Sequence, residues 1–272
     1  PRLCGRHIAR LWELIGIPMF GEWAHAFWSL SLHYYLQCGH RAQLKGTRLC
    51  DELIARSVSL KADCAQLLEA AMVFTTVISS FVQLSLALVI PVAWWAVTTR
   101  RRVEFATWIG LVVPEWKAAR QRLVLALMVW AAVAVLSVAL LSSTAGGTAS
   151  SRFAGSGIYG AIAVLFYAFI QTGLSEEILF RGFLGKKLSE KFGFRVGNTV
   201  QAVVFGLVHV VLLSSAFTLL PLIGVGVLTA VSGWIMGWVN EEAAGGSILP
   251  SWMMHSLANL LVGWGAVFGF LA

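Results

Sequence analysis

Three short stretches carry side chains that could do chemistry together. They are Glu176, Glu177 and Arg181 in EEILFR, Phe205 and His209 in FGLVH, and His255 and Asn259 in HSLAN. His209 and His255 are the only histidines after residue 40. If each stretch is helical, residues four apart share a face. Glu177 then meets Arg181, while Glu176, about 100° further round, is free to point into a bundle. The set is a carboxylate, two imidazoles and an amide, with an arginine holding the neighbouring carboxylate. It suits hydrolysis. A carboxylate beside a histidine in a dry pocket can serve as the base that activates water. A second imidazole and a carboxamide N–H can stabilise the oxyanion of a tetrahedral intermediate. Glu176, His209 and His255 equally match the donors of a catalytic zinc site with water in the fourth position, although HExxH is absent. The residues alone leave both assignments open.

Each stretch has an ordinary explanation by itself: a helix ion pair, a histidine packed on a backbone carbonyl, a polar patch between helices. Their surroundings argue for more. The 272 residues are 58% hydrophobic and only 12% charged, with a mean hydropathy of +0.78. A soluble domain carries about a quarter charged residues, so this chain cannot coat a water-facing surface. Apolar runs long enough to cross a bilayer are read at 67–97, 123–141, 157–174, 196–213, 217–239 and 248–271. Such runs must be helical, because lipid satisfies no backbone N–H or C=O. An ionisable group at that depth is costly and normally has a partner or a task. Four of them, carried on three of these runs, point to one convergent pocket.

The expected fold is all-α: a polytopic transmembrane bundle of about six spans after residue 66, with room for an extra N-terminal helix within 11–37. Residues 1–66 form a poorly defined segment holding all four cysteines, Cys4, Cys38, Cys50 and Cys64. None has CxxC spacing, so free thiols are expected rather than a zinc or redox motif. Residues 67–272 form the transmembrane domain. Twelve tryptophans suit membrane–water belts. The net charge of +7 reads as loop Lys/Arg, not as a nucleic-acid surface. Basic stretches at 99–122 and 181–195 should be cytoplasmic, and the Ser/Gly/Thr-rich loop at 142–156 outside. Glu241 and Glu242 are expected in a solvated loop. Gly233/Gly237 and Gly265/Gly269 would allow close helix approach.

In these motifs the chain resembles the CPBP superfamily of intramembrane proteases, which includes type II CAAX prenyl endopeptidases and lysostaphin-resistance-like, bacteriocin-processing proteins. The family pattern EExxxR, FxxxH, HxxxN/D is met by residues 176–181, 205–209 and 255–259 within a core of about 157–263. The resemblance implies that Glu176 and His209 activate water, that His255 and Asn259 form the oxyanion site, and that Glu177, Arg181 and Phe205 are structural partners. It favours a mechanism with no cofactor over the zinc alternative. It implies an integral protein of a bacterial plasma membrane, its site opening to the cytoplasm. The expected substrate is a membrane-associated peptide or lipidated protein, prenylated or otherwise, cut near its C-terminus. The alternative is a non-enzymatic bacteriocin-immunity or scaffold protein of the same family. A transporter would need inverted repeats, and none is visible.

Overall fold

The apolar runs close their own backbone hydrogen bonds by coiling into helices, and the computed structural model contains seven of them among the described residues. Described are residues 48–99, 102–142 and 149–270, with side chains from Gln66 onward except Ser142. The helix proposed within 11–37 and the side chains of all four cysteines lie outside them. The helices are α1 (Arg48–Thr98), α2 (Phe105–Ile109), α3 (Arg120–Ser142), α4 (Gly157–Phe192), α5 (Phe194–Leu213), α6 (Leu219–Ala243) and α7 (Leu249–Phe268). No strand occurs among the described residues. A 3-10 turn, Ala149–Phe153, precedes α4.

Among the described residues, five helices are long and apolar enough to cross a membrane: Gln66–Thr98 of α1, Arg120–Leu141 of α3, α4, α5 and α6. Their outward faces are greasy; Leu86, Leu125, Leu207 and Leu220 are all exposed. That surface and this architecture are those of an integral membrane protein. The sixth apolar run also folds as a helix, α7, but Ser251, His255, Ser256 and Asn259 lower its hydropathy below that of the other five. These are the residues that face the protein interior, where Ser251, His255 and Ser256 are buried.

Helix boundaries differ from the sequence reading where they matter most. The stretch 181–195 is not a loop. The helix begun at Gly157 runs on to Phe192, and after Gly193, at φ +80°, α5 starts at once. Glu176 lies 16 residues before Phe192 and His209 lies 15 after Phe194. At about 1.5 Å per residue, the two sit at nearly equal depth from that turn. Glu241 is likewise not in a solvated loop. It belongs to a π-helical end of α6 and pairs with Lys186 at 2.8 Å, while Glu242 is exposed. Lys186 also donates to the Gly246 carbonyl at 2.8 Å, tying the start of α7 to the end of α4.

Helices α5 and α6 pack most extensively, and small residues set their spacing. A Cβ on Gly206 would strike the Gly226 carbonyl, and one on Gly237 would strike the Asn198 amide. Gly269 plays another part than the expected helix contact. It ends α7 in the left-handed conformation (φ +73°), with open space where a Cβ would point.

Candidate active site

α4 is not a plain α-helix. Residues Tyr167–Leu174 and Ile178–Gly185 are π-helical, and a three-residue α-turn, Ser175–Glu177, lies between them. Thr172 and Ser175 bond their hydroxyls back five residues, to the carbonyls of Tyr167 (2.9 Å) and Ile170 (2.9 Å). Such widened turns mark functional positions in many helices. Here they bracket the Glu176–Glu177 pair.

Glu177 is the buried anchor, 0% exposed. Its Oε1 accepts from Arg181 Nη1 at 2.9 Å and from His255 Nδ1 at 2.9 Å. Its Oε2 accepts from the Ser251 hydroxyl at 2.5 Å. Ser251 in turn accepts from Asn240 Nδ2 at 2.7 Å and donates its backbone N–H to Asn240 Oδ1 at 3.2 Å. A carboxylate in a dry interior must be paired and saturated with donors, and this network, drawn from α4, α6 and α7, does so. Ser251 and Asn240 escaped the sequence reading. Ser251 stands four residues before His255 and so shares its face, which is the one sequence signal that pointed to it.

Glu177 also fixes how His255 presents itself. A carboxylate can only accept, so His255 donates through Nδ1 and turns Nε2 toward the other glutamate. That Nε2 stands 3.8 Å from Glu176 Oε2, too far for a direct hydrogen bond. Glu176 Oε2 is buried and has no hydrogen-bond partner. Glu176 is therefore the group Glu177 is not: close to an imidazole, yet uncommitted.

Phe205 organises the rest. Its ring packs edge-on against His209 (centroids 4.5 Å), His255 (5.8 Å) and Phe180 (4.9 Å). The Arg181 guanidinium stacks on it at 4.1 Å. Gly233 of α6 makes room for that stack, since a Cβ there would lie 3.0 Å from Arg181 Nη2 and 3.2 Å from the Phe205 ring. His209 Nδ1 donates to the Phe205 carbonyl at 2.9 Å, which leaves its Nε2 as an acceptor. His209 is within electrostatic reach of Glu176, His255 and Arg181.

Asn259 stands one turn along α7 from His255. Its Nδ2 donates one N–H to Thr172 Oγ1 at 2.8 Å, and the second is not used by that bond. The structure thus brings Glu176, Glu177, Arg181, Phe205, His209 and His255 into one cluster, with Asn259 reaching α4 four residues before Glu176. Among the described residues, no three His, Cys, Asp or Glu side chains converge closely enough to hold a metal ion. Arg181 also lines a narrow cavity to which Asn198, Gln201, Asn240 and Glu241 contribute.

Residues 158–261 match the family model described as Rce1-like, type II CAAX prenyl endopeptidase. No curated protein and no solved structure matches the chain. The matched segment begins at the second residue of α4 and ends within α7, so it holds every member of the cluster. On that match, and on the motifs it contains, the helical core 158–261 is similar to the Rce1-like, type II CAAX prenyl endopeptidases.

Proposed function

We propose that the protein is a membrane-embedded endopeptidase that hydrolyses a peptide bond near the C-terminus of a membrane-associated, lipid-modified substrate. One observation carries this reading above all. Glu176 presents a buried carboxylate oxygen with no partner beside His255, while an identical neighbouring side chain is fully consumed by structural bonds.

The steps follow from the acceptors and donors that remain. A water held between Glu176 Oε2 and His209 Nε2 meets two proton acceptors. As its oxygen attacks the scissile carbonyl carbon, one proton passes to Glu176. The carbonyl oxygen gains the negative charge, and the free N–H of Asn259 can meet it; His255 adds a second donor only when Nε2 carries a proton as well as Nδ1. When the C–N bond breaks, the proton on Glu176 passes to the departing amine. The oxyanion collapses to a carboxylic acid on the other fragment. No resident metal is required in this scheme. Glu177, Arg181, Ser251 and Asn240 hold His255 in place and touch no reacting atom.

The chain is read with the α4–α5 turn in the cytoplasm, since Lys186, Lys187, Lys191 and Arg195 cluster there. Glu176 lies ten residues, or about 15 Å, from Lys186 along α4. A substrate would enter from that side.

The deciding experiment compares peptide cleavage by wild type, Glu176→Gln and His209→Ala in membranes, using a profiled library of lipidated and plain peptides. Each variant should lose about 10²- to 10⁴-fold in rate while keeping the wild-type melting temperature in detergent. Undiminished turnover by Glu176→Gln would leave a binding or immunity role as the better reading.

A further inference from the structure

The membrane-crossing length of α1 is mostly apolar, and its inward polar residues fall on one stripe. Thr76, Ser79, Ser80 and Gln83 recur at helix spacing on a single face, and Thr76 and Ser80 are buried. The stripe meets α4 at Gln171. Ser79 donates to Gln171 Oε1 at 3.3 Å, and Gln171 Nε2 donates to Gln83 Oε1 at 3.4 Å. Gln171 precedes Glu176 by five residues on the same helix. Its Oε1 also accepts from Arg152 Nη2 at 3.3 Å. Polar side chains therefore continue from Glu176 along α4 and α1 to a cation.

Arg152 is held as a recognition group would be. Its guanidinium lies over Phe153 at 4.6 Å and Tyr167 at 5.1 Å. Tyr167 is within electrostatic reach of both Arg152 and Glu176. Arg152 is exposed, and among the described residues no carboxylate pairs with it. Its hydrogen bond to the neutral Gln171 amide leaves most of its five N–H donors over. An oriented fork of donors is the usual partner of a carboxylate.

Distance supports the same assignment. Gln171 and Glu176 lie five residues apart on the widened stretch of α4, and Arg152 reaches Gln171 directly. An extended peptide of a few residues, at about 3.3 Å each, can run from one to the other.

We propose that Arg152 anchors the free C-terminal carboxylate of the substrate, and that Ser79, Gln83 and Gln171 line the path of the residues to be released. This rests on the endopeptidase reading above, and the test separates the two. The probe is a fluorescent S-farnesyl-Cys-Val-Val-Leu peptide, made once as the free acid and once as the C-terminal amide. Binding of both is measured to Glu176→Gln protein with Arg152 intact, and with Arg152→Gln or Arg152→Lys added. Binding needs no turnover, so it reports on the anchor even if the protein proves not to be a protease. With Arg152 present the acid should bind about tenfold or more tightly than the amide, as a charge-assisted pair predicts. Arg152→Gln should abolish that preference by weakening the acid alone, and Arg152→Lys should restore part of it. Equal binding of acid and amide to the parent protein overturns the anchor. So does an Arg152→Gln variant that weakens both peptides alike. The same holds if the acid preference survives in Arg152→Gln while its melting temperature falls only in vesicles of anionic lipid, which would make Arg152 a headgroup contact.

Discussion

His255 gives its Nδ1 proton to Glu177 at 2.9 Å, and by that single bond its other nitrogen is aimed at Glu176, 3.8 Å away. Two adjacent glutamates thus acquire opposite duties. Glu177 is spent on Arg181, His255 and Ser251; Glu176 keeps an oxygen free. The division arises because adjacent helix positions differ by about 100° in direction, so only one of the pair can face the structural network.

Breaking the buried ion pair should be expensive. Glu177→Gln leaves the Arg181 charge buried without its counter-ion, and a loss of about 3–5 kcal/mol in stability is expected. Adding Arg181→Met removes both charges and should return most of that loss. Catalysis should not return with it, because His255 remains without its carboxylate partner. Thermal unfolding in detergent and a cleavage assay, run on the same three proteins, measure the two effects separately. Activity recovering alongside stability would contradict the positioning role of Glu177.

The Phe205 hub makes a second forecast. Phe205→Ala removes the ring that Arg181, His209, His255 and Phe180 all share, and should cost about 3–5 kcal/mol. Gly233→Ala pushes a methyl into the Arg181–Phe205 stack and should cost about 1–3 kcal/mol. A Gly233→Ala protein as stable as wild type would mean that the stack is looser than its contacts imply.

Asn259 can be tested against its own hydrogen-bond partner. Asn259→Ala should lower kcat by about 10²- to 10³-fold with little change in KM, the pattern of a lost oxyanion donor. Thr172→Val removes the acceptor of the bond at 2.8 Å but leaves the amide in place, so its effect should be far smaller. Equal losses in the two variants would assign Asn259 to helix packing instead.

Metal dependence has a direct check. Activity is expected to persist after treatment with a strong chelator, and elemental analysis of the purified active protein should find no stoichiometric zinc. One zinc per active chain, removed together with activity and restored with it, would move Glu176, His209 and His255 to the role of ligands.

Much of this molecule is legible in the sequence, for identifiable reasons. Chain-long apolarity with few charges forces membrane-crossing helices, because no other backbone geometry satisfies itself in lipid. Spacing of four within a helix pairs Glu177 with Arg181 and places Phe205 on the face of His209. Rarity marks Glu176, His209 and His255, since an ionisable group at depth is too costly to be incidental. What the linear chain left undecided depends on how helices meet. The π-helical turns around Ser175–Glu177 change the direction in which both glutamates point, and a widened turn has no pattern of its own in the residues. The continuation of α4 to Phe192 sets Glu176 level with His209, and a run of Lys and Arg reads as loop or helix end alike. Ser251 and Asn240 are ordinary residues until three helices close around Glu177. Spacing already assigned Glu177 to Arg181 and left Glu176 free to turn elsewhere; that Glu177 is saturated by His255 and Ser251 while Glu176 keeps an oxygen unpaired was settled by packing, because those two donors come from another helix.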